Sequence, residues 1–142
     1  MTYLDTSVLV AYYCPEPLSE AVERILRRME QPAISALTEV EFASALARKV
    51  REKGISRQEA NLVLNEFKAH INQRLFTRVP VDREHYTVAF AWLTQFSLPL
   101  RTLDALHLAV AAGADLDLVT ADRGLSRSAR RLGVRCKLLT RR

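Results

Sequence analysis

Short apolar, β-branched runs alternate along this chain with longer stretches of helical spacing, and that alternation constrains the fold more than any other feature. The opening "TYLDTSVLVAYY" begins as a short strand, and "PAISAL" at 32–37, "FTRVPV" at 76–81, "LDLVTAD" at 116–122 and "VRCKLLT" at 134–140 also read as strands. Between them lie helical patterns. "PLSEAVERILRRMEQ" places Leu18, Val22, Ile25, Leu26 and Met29 on one stripe, and "TEVEFASALARKVREKG" does the same with Val40, Ala43, Leu46, Ala47 and Val50 before Gly54 stops it. "SRQEANLVLNEFKAHINQRL" opens on the N-cap Ser56, "DREHYTVAFAWLTQFS" on Asp82, "TLDALHLAVAAGA" is almost wholly apolar, and "RGLSRSARRLG" is a basic helix. Strands separated by helices predict an α/β fold: a mainly parallel central sheet between two helical layers, a three-layer α/β/α arrangement. With 142 residues and no linker, repeat or low-complexity tract, one domain over 1–142 is expected, burying roughly two thirds of its unfolded surface.

In open parallel sheets, sites form beyond the carboxyl ends of the strands, where strand gives way to helix. Four acids fall at such places. Asp5 interrupts an apolar run where the first strand ends, Glu41 lies in the first turn of the helix after the second strand, and Asp122 closes "LVTAD". Asp104 is the only acid between Thr102 and Ala114, near the start of the most apolar helix, where a solvated surface role explains it poorly.

Each acid also fits a local structural role. Thr38 and Glu41 match the S/T-x-x-E capping box, Asp122 is placed to cap the basic helix, Asp5 in "DTS" fits an Asx turn, and Asp104 suits a helix N-terminus. His107, one turn after Asp104, reads as a satisfied core histidine. The four acid positions are linked, however, because a parallel sheet brings them to one edge. Carboxylates converging in a partly dehydrated cleft repel one another and call for a proton or a cation. Oxygen ligands suit Mg²⁺ or Mn²⁺ better than zinc.

Charge is polarised along the chain. The net charge is +5, yet residues 123–142 hold seven Arg, one Lys and no acid. A basic end beside an acidic centre suits a polyanion such as RNA, with Arg127, Arg130, Arg131 and Arg135 as phosphate contacts, while a solvated final helix accounts for the same arginines equally simply. Cys14 and Cys136 form no C-x-x-C pair or zinc-type cluster and read as buried thiols in a reducing compartment. No apolar run reaches the roughly 20 residues of a membrane span, and the first residues lack a signal-peptide pattern, so a cytoplasmic protein away from membranes is expected.

"YLDTSVLVAYY", "SALTEVEFASALARK", "LRTLDALHLAVA" and "LVTADRGLSRSARRLGV" resemble, in order and spacing, the four acidic blocks of PIN-domain ribonucleases, most closely VapC-type toxins of toxin–antitoxin pairs. The resemblance implies that Asp5, Glu41, Asp104 and Asp122 form the acidic, metal-holding and catalytic constellation, with Ser7 and Thr120 as supporting hydroxyls. Glu39, two residues from Glu41, points about 200° around the helix, and the family spacing selects Glu41. The implied activity is endoribonuclease cleavage by water activated with Mg²⁺ or Mn²⁺, leaving 5′-phosphate and 3′-OH ends. A small VapB-type antitoxin and a homodimer are the implied partners. A haloacid-dehalogenase phosphatase would want D-x-D where Asp5 is followed by Thr6 and Ser7, and a receiver domain would want an acidic pair at the first strand. The remaining alternative is a catalytically silent PIN-like module for nucleic-acid binding or protein interaction.

Overall fold

The computed structural model describes residues 1–141; Arg142 of the basic tail lies outside the described residues. Twelve elements are formed in the order β1 (Thr2–Leu4), α1 (Thr6–Tyr13), α2 (Ser19–Arg27), β2 (Pro32–Ile34), α3 (Ala36–Arg51), α4 (Arg57–Asn72), β3 (Thr77–Arg78), α5 (Arg83–Leu93), α6 (Thr102–Gly113), β4 (Asp117–Thr120), α7 (Arg123–Arg131) and β5 (Cys136–Leu138). The strands make one sheet in the order β3-β2-β1-β4-β5, with every pairing parallel.

Alternate strand residues feed opposite cores, as the twofold period of a strand requires. Leu4, Ile34 and Val119 point to one face, where they pack with Val8, Leu9, Val22, Phe42, Leu46 and Phe67 of α1 to α4. Tyr3, Ala33 and Leu118 point to the other, against Leu108, Val110, Leu125 and Ala129 of α6 and α7. Ala89 of α5 joins Ala105 and Leu106 of α6 in a smaller cluster. The two helical layers and the parallel sheet expected from the strand–helix alternation are therefore both present.

Four local expectations need correction. "TSVLVAYY" folds as the helix α1, not as a continuation of the first strand: Thr6 and Val8 to Ala11 are all buried, so helical periodicity is erased from the sequence and only its β-branched content remains visible. "FTRVPV" pairs over Thr77–Arg78 alone, because Pro80 has no N–H with which to extend the ladder. The strand in "PAISAL" ends at Ile34, and α3 starts two residues ahead of Thr38, with Ser35 as its N-cap in a capping box shared with Thr38. Cys136 is half-buried rather than fully enclosed, whereas Cys14 is buried.

The topology fixes where a site can form. From β1 the chain crosses to β2 on one side; from β4 it crosses to β5 on the other. The crevice between the carboxyl ends of β1 and β4 is thus a topological switch point. Asp5 follows β1 directly, and its N–H bonds the Val119 carbonyl of β4 at 3.0 Å. Among the described residues no helix is long and apolar enough to cross a membrane.

Candidate active site

Asp5 is held at the switch point by hydroxyls from both flanking segments. Ser7 Oγ donates to Asp5 Oδ2 at 2.6 Å and Thr120 Oγ1 donates to the same oxygen at 2.8 Å. Ser7 in turn accepts the Ala121 N–H at 3.1 Å, and Thr120 accepts the Asp122 N–H at 3.0 Å. Asp5 occupies the N-cap position of α1, yet its side chain makes no capping bond. Its carboxylate is buried, with one oxygen tied and Oδ1 left for another partner.

Glu41 repeats this pattern from α3. Both Thr6 Oγ1, at 2.7 Å, and His107 Nε2 bond its Oε1, so Oε2 is the oxygen left to the cleft. The capping box expected of Thr38 and Glu41 does not form: Ser35 and Thr38 fill that role, which releases Glu41 one turn further on to face the site. Glu39 points away and pairs with Arg78 at 2.6 Å. Burial pushes the Glu41 carboxyl up, but the hydrogen bonds from His107 and the Thr6 hydroxyl outweigh it and hold the group below its ordinary value.

Asp104, in the first turn of α6, is the acid most altered by its neighbours. Burial, then the negative charges of Asp5, Asp122 and Glu41, push its carboxyl up to about 6, against a smaller opposing pull from His107. None of the hydrogen bonds within the site reaches it. Asp122 is exposed and does cap α7, accepting the Gly124 N–H at 2.8 Å and the Leu125 N–H at 3.2 Å on Oδ1. Capping and membership of the acid cluster are compatible, since Oδ2 takes no part in the cap.

His107 is fully buried, as a satisfied core histidine should be, but its partners belong to the site: Nε2 reaches Glu41, and Nδ1 lies 2.6 Å from the Tyr3 hydroxyl. One ligand atom from each of Asp5, Glu41 and His107 lies within 4.8 Å of the others. Both His107 nitrogens are already engaged, so the donor set facing the cleft is made of carboxylate oxygens, a set suited to a hard divalent cation. Thr6, Tyr3 and His107 escape a reading of the acids alone. Their signals are present in "YLDTS", which surrounds Asp5 with hydroxyls, and in the i, i+3 spacing of Asp104 and His107.

Of the arginines singled out by charge, Arg127, Arg130 and Arg131 are exposed on α7, which starts at Asp122. Arg135 lies elsewhere. Its guanidinium pairs with Asp117 and Asp115 at the amino end of β4, the opposite edge of the sheet from the acids. Beside Glu41 opens a cleft of about 760 Å³ between α1 and α3, lined in part by Val10, Ala11, Leu18, Val40, Ala45 and Leu103.

Comparison with known proteins identifies the family. A family model described as the PIN domain matches residues 2–131. Ribonuclease VapC46 of Mycobacterium tuberculosis is 35% identical over 135 residues, covering 93% of this chain and 92% of that protein. Among solved structures, FitAcB from Neisseria gonorrhoeae has a TM-score of 0.74 at 22% identity, with 96% of each chain covered. VapC20 of M. tuberculosis, a Sarcin-Ricin loop cleaving toxin, has a TM-score of 0.73 at 16% identity, covering 90% of this chain and 95% of that one. These two structures share the fold; the family model and the VapC46 relative carry the assignment. The chain belongs to the PIN-domain family, among the VapC ribonucleases.

Proposed function

We infer that this protein is a metal-dependent endoribonuclease, the toxin of a VapBC-type pair, acting in the cytoplasm. The observation that carries the reading is the convergence of Asp5, Glu41, Asp104 and Asp122 from four separate elements on one sheet edge, where burial first and then the charges of the other three acids push Asp104 up to about 6. In this reading Asp5 and Asp104 are direct ligands of Mg²⁺ or Mn²⁺, Glu41 is a ligand or orients the attacking water, and Asp122 holds a second, weaker ion or its hydration shell. When bound, the cation supplies water activation and charge stabilisation at the leaving 3′ oxygen.

The chain's own residues do the positioning. Ser7 and Thr120 fix one Asp5 oxygen, Thr6 and His107 fix one Glu41 oxygen, and in each case these bonds leave the second oxygen free to hold a cation. Arg127, Arg130 and Arg131, on the helix that Asp122 caps, would meet RNA phosphates. A VapB-type antitoxin segment would lie along the apolar cleft beside Glu41 and cover the acids. The exposed Tyr86 and Phe90 of α5 give a homodimer an apolar face.

The test is cleavage of RNA by purified protein with Mg²⁺ or Mn²⁺ and with EDTA, followed by sequencing of the fragment 5′ ends. Cleavage that stops in EDTA and leaves 5′-phosphate ends is expected. Undiminished cleavage in EDTA, or 2′,3′-cyclic phosphate products, would refute the metal mechanism. No cleavage of any RNA by a folded, Mn²⁺-binding protein would return the chain to the silent-module reading.

A further inference from the structure

We propose that Tyr3 and His107 are positioning residues for Glu41: the Tyr3 phenol donates to His107 Nδ1, which commits the imidazole to carry its proton on Nε2 and to hold Glu41 by Oε1. The inference rests on the nuclease reading of Glu41 and extends it to a buried chain of four side chains behind the acid.

Donor and acceptor counting fixes the direction of that chain. Ser35 Oγ lies 2.7 Å and Thr38 Oγ1 3.3 Å from the Tyr3 oxygen. Thr38 Oγ1 already accepts the Ser35 N–H at 3.2 Å, and Ser35 Oγ faces the Thr38 N–H in the capping box at the start of α3. Each therefore has its own proton to give, and the phenol oxygen is the acceptor within reach. Tyr3 then has a single proton left to donate, and His107 Nδ1 stands 2.6 Å away. A carboxylate only accepts, so the imidazole proton belongs on Nε2, the nitrogen that faces Glu41. The two ends of the chain demand the same tautomer.

The architecture gives this relay a reason to exist. Tyr3, Ser35, Thr38 and His107 are all buried, and no buried side-chain polar atom among the described residues is left without a partner. Fully satisfied buried networks hold one geometry. Here the geometry joins β1, the start of α3 and α6, the three segments that also carry Asp5, Glu41 and Asp104. Because Asp104 and His107 are one turn apart on α6, fixing the imidazole also fixes the helix face that carries Asp104.

The test reads the proton directly. Long-range ¹H–¹⁵N correlation of the imidazoles at about pH 8 should show His107 protonated on Nε2 and bare on Nδ1, the signal being assigned by its loss in His107→Gln. In Tyr3→Phe, which keeps the ring and removes the donor, that tautomer preference should weaken while the His70 signal, whose Nδ1 meets Tyr13 instead, stays put. Mn²⁺ affinity, followed by electron paramagnetic resonance, should fall about tenfold in Tyr3→Phe and further in His107→Leu, with partial recovery in His107→Gln, whose amide still offers Glu41 a donor. Thermal melts identify any variant that fails to fold, and the wild-type spectrum needs no variant at all. A proton on Nδ1 in the Mn²⁺-binding wild type, or Tyr3→Phe binding Mn²⁺ within about twofold of wild type, overturns the relay and leaves the nuclease reading standing. A wild type that binds no Mn²⁺ overturns both.

Discussion

Thr120, the last residue of β4, donates its hydroxyl to Asp5 Oδ2 at 2.8 Å, joining residues 115 positions apart where β1 and β4 end side by side. Thr120 Oγ1 also accepts the Asp122 N–H, so one buried hydroxyl aligns two of the four acids. Thr120→Val keeps the shape and removes both bonds. The expected cost is about 1–3 kcal/mol of stability for the two lost bonds, one of them to a buried carboxylate, with cleavage down on the order of tenfold or more as Asp5 loses part of its orientation. Denaturant melts paired with a cleavage assay measure the two effects; full activity in a folded variant would remove Thr120 from the site.

Asp104→Asn separates the acid as part of a site from the acid as a helix-end residue. Asn keeps the shape and takes one negative charge out of a repelling group, so the metal-free protein should be as stable as wild type or more so, while cleavage disappears. Added Mg²⁺ should raise the melting temperature of wild type by mass action and do so less for the variant. A variant with full activity and the full Mg²⁺ shift would place Asp104 outside the site.

How much of the fold and site is legible in the sequence differs by level. The strand–helix alternation implies the parallel sheet, and the sheet implies that the four acids share its carboxyl edge, while only the strand order makes β1 and β4 neighbours. Helix α1 is hidden because Thr6 and Val8 to Ala11 are buried and the exposed residue is the aromatic Tyr12, which leaves no polar stripe to read. Glu41 is legible as an acid in the right block but not as free of the capping box, since that depends on α3 starting at Ala36, and helix starts are set by backbone geometry that a sequence pattern fixes poorly. The His107 bond to Glu41 joins α6 to α3 across 66 residues, and only folding brings the pair together. Arg135 carries the same charge as its neighbours in "RRLGVR", and only the sheet register shows that it faces Asp117 at the far edge.

The raised Asp104 carboxyl gives the metal-free protein a distinctive pH dependence. An unfolded Asp loses its proton near 3.8, whereas the folded one keeps it to about 6. Between those values the folded state binds more protons than the unfolded, so the Asp104 contribution to stability declines as pH rises through the window. Glu41 acts the other way, its contribution being present above its ordinary 4.5 and lost as pH falls through its lowered folded value. From about pH 4.5 to about pH 6 Asp104 therefore dominates this pair. Melts of wild type and Asp104→Asn in EDTA should differ by a slope confined to that window, with the variant flatter. Parallel slopes would mean that Asp104 titrates as an ordinary exposed acid.

Cation binding must displace that proton, so Mn²⁺ affinity should rise as pH is raised from about 5 to about 7 and then level off. Asp104→Asn should bind more weakly throughout and lose most of the pH dependence below about 6. Calorimetry in two buffers of different ionisation enthalpy counts the protons released, and release that is absent at about pH 5 would contradict a shared, proton-holding cluster.

The arginines offer a test in which one member of the set is expected to differ. Arg127, Arg130 and Arg131 are exposed on the helix that begins at Asp122, whereas Arg135 is engaged by Asp115 and Asp117 at the other edge of the sheet. A side chain bound to RNA phosphate releases counterions, so removing one such cation should flatten the dependence of log affinity on log salt by roughly 0.7 for a single strand. Replacing Arg127, Arg130 and Arg131 together by Gln should therefore weaken RNA binding and reduce the slope by roughly 2 if all three touch phosphate. Arg135→Gln should leave the slope unchanged, because that guanidinium already has its carboxylates and sits away from the acids. The binding measurements belong in Asp104→Asn, so that cleavage does not deplete the RNA. If Arg135→Gln flattens the slope as much as a replacement on α7, the RNA path runs along the amino edge of the sheet, and the placement of substrate beside Asp122 is wrong.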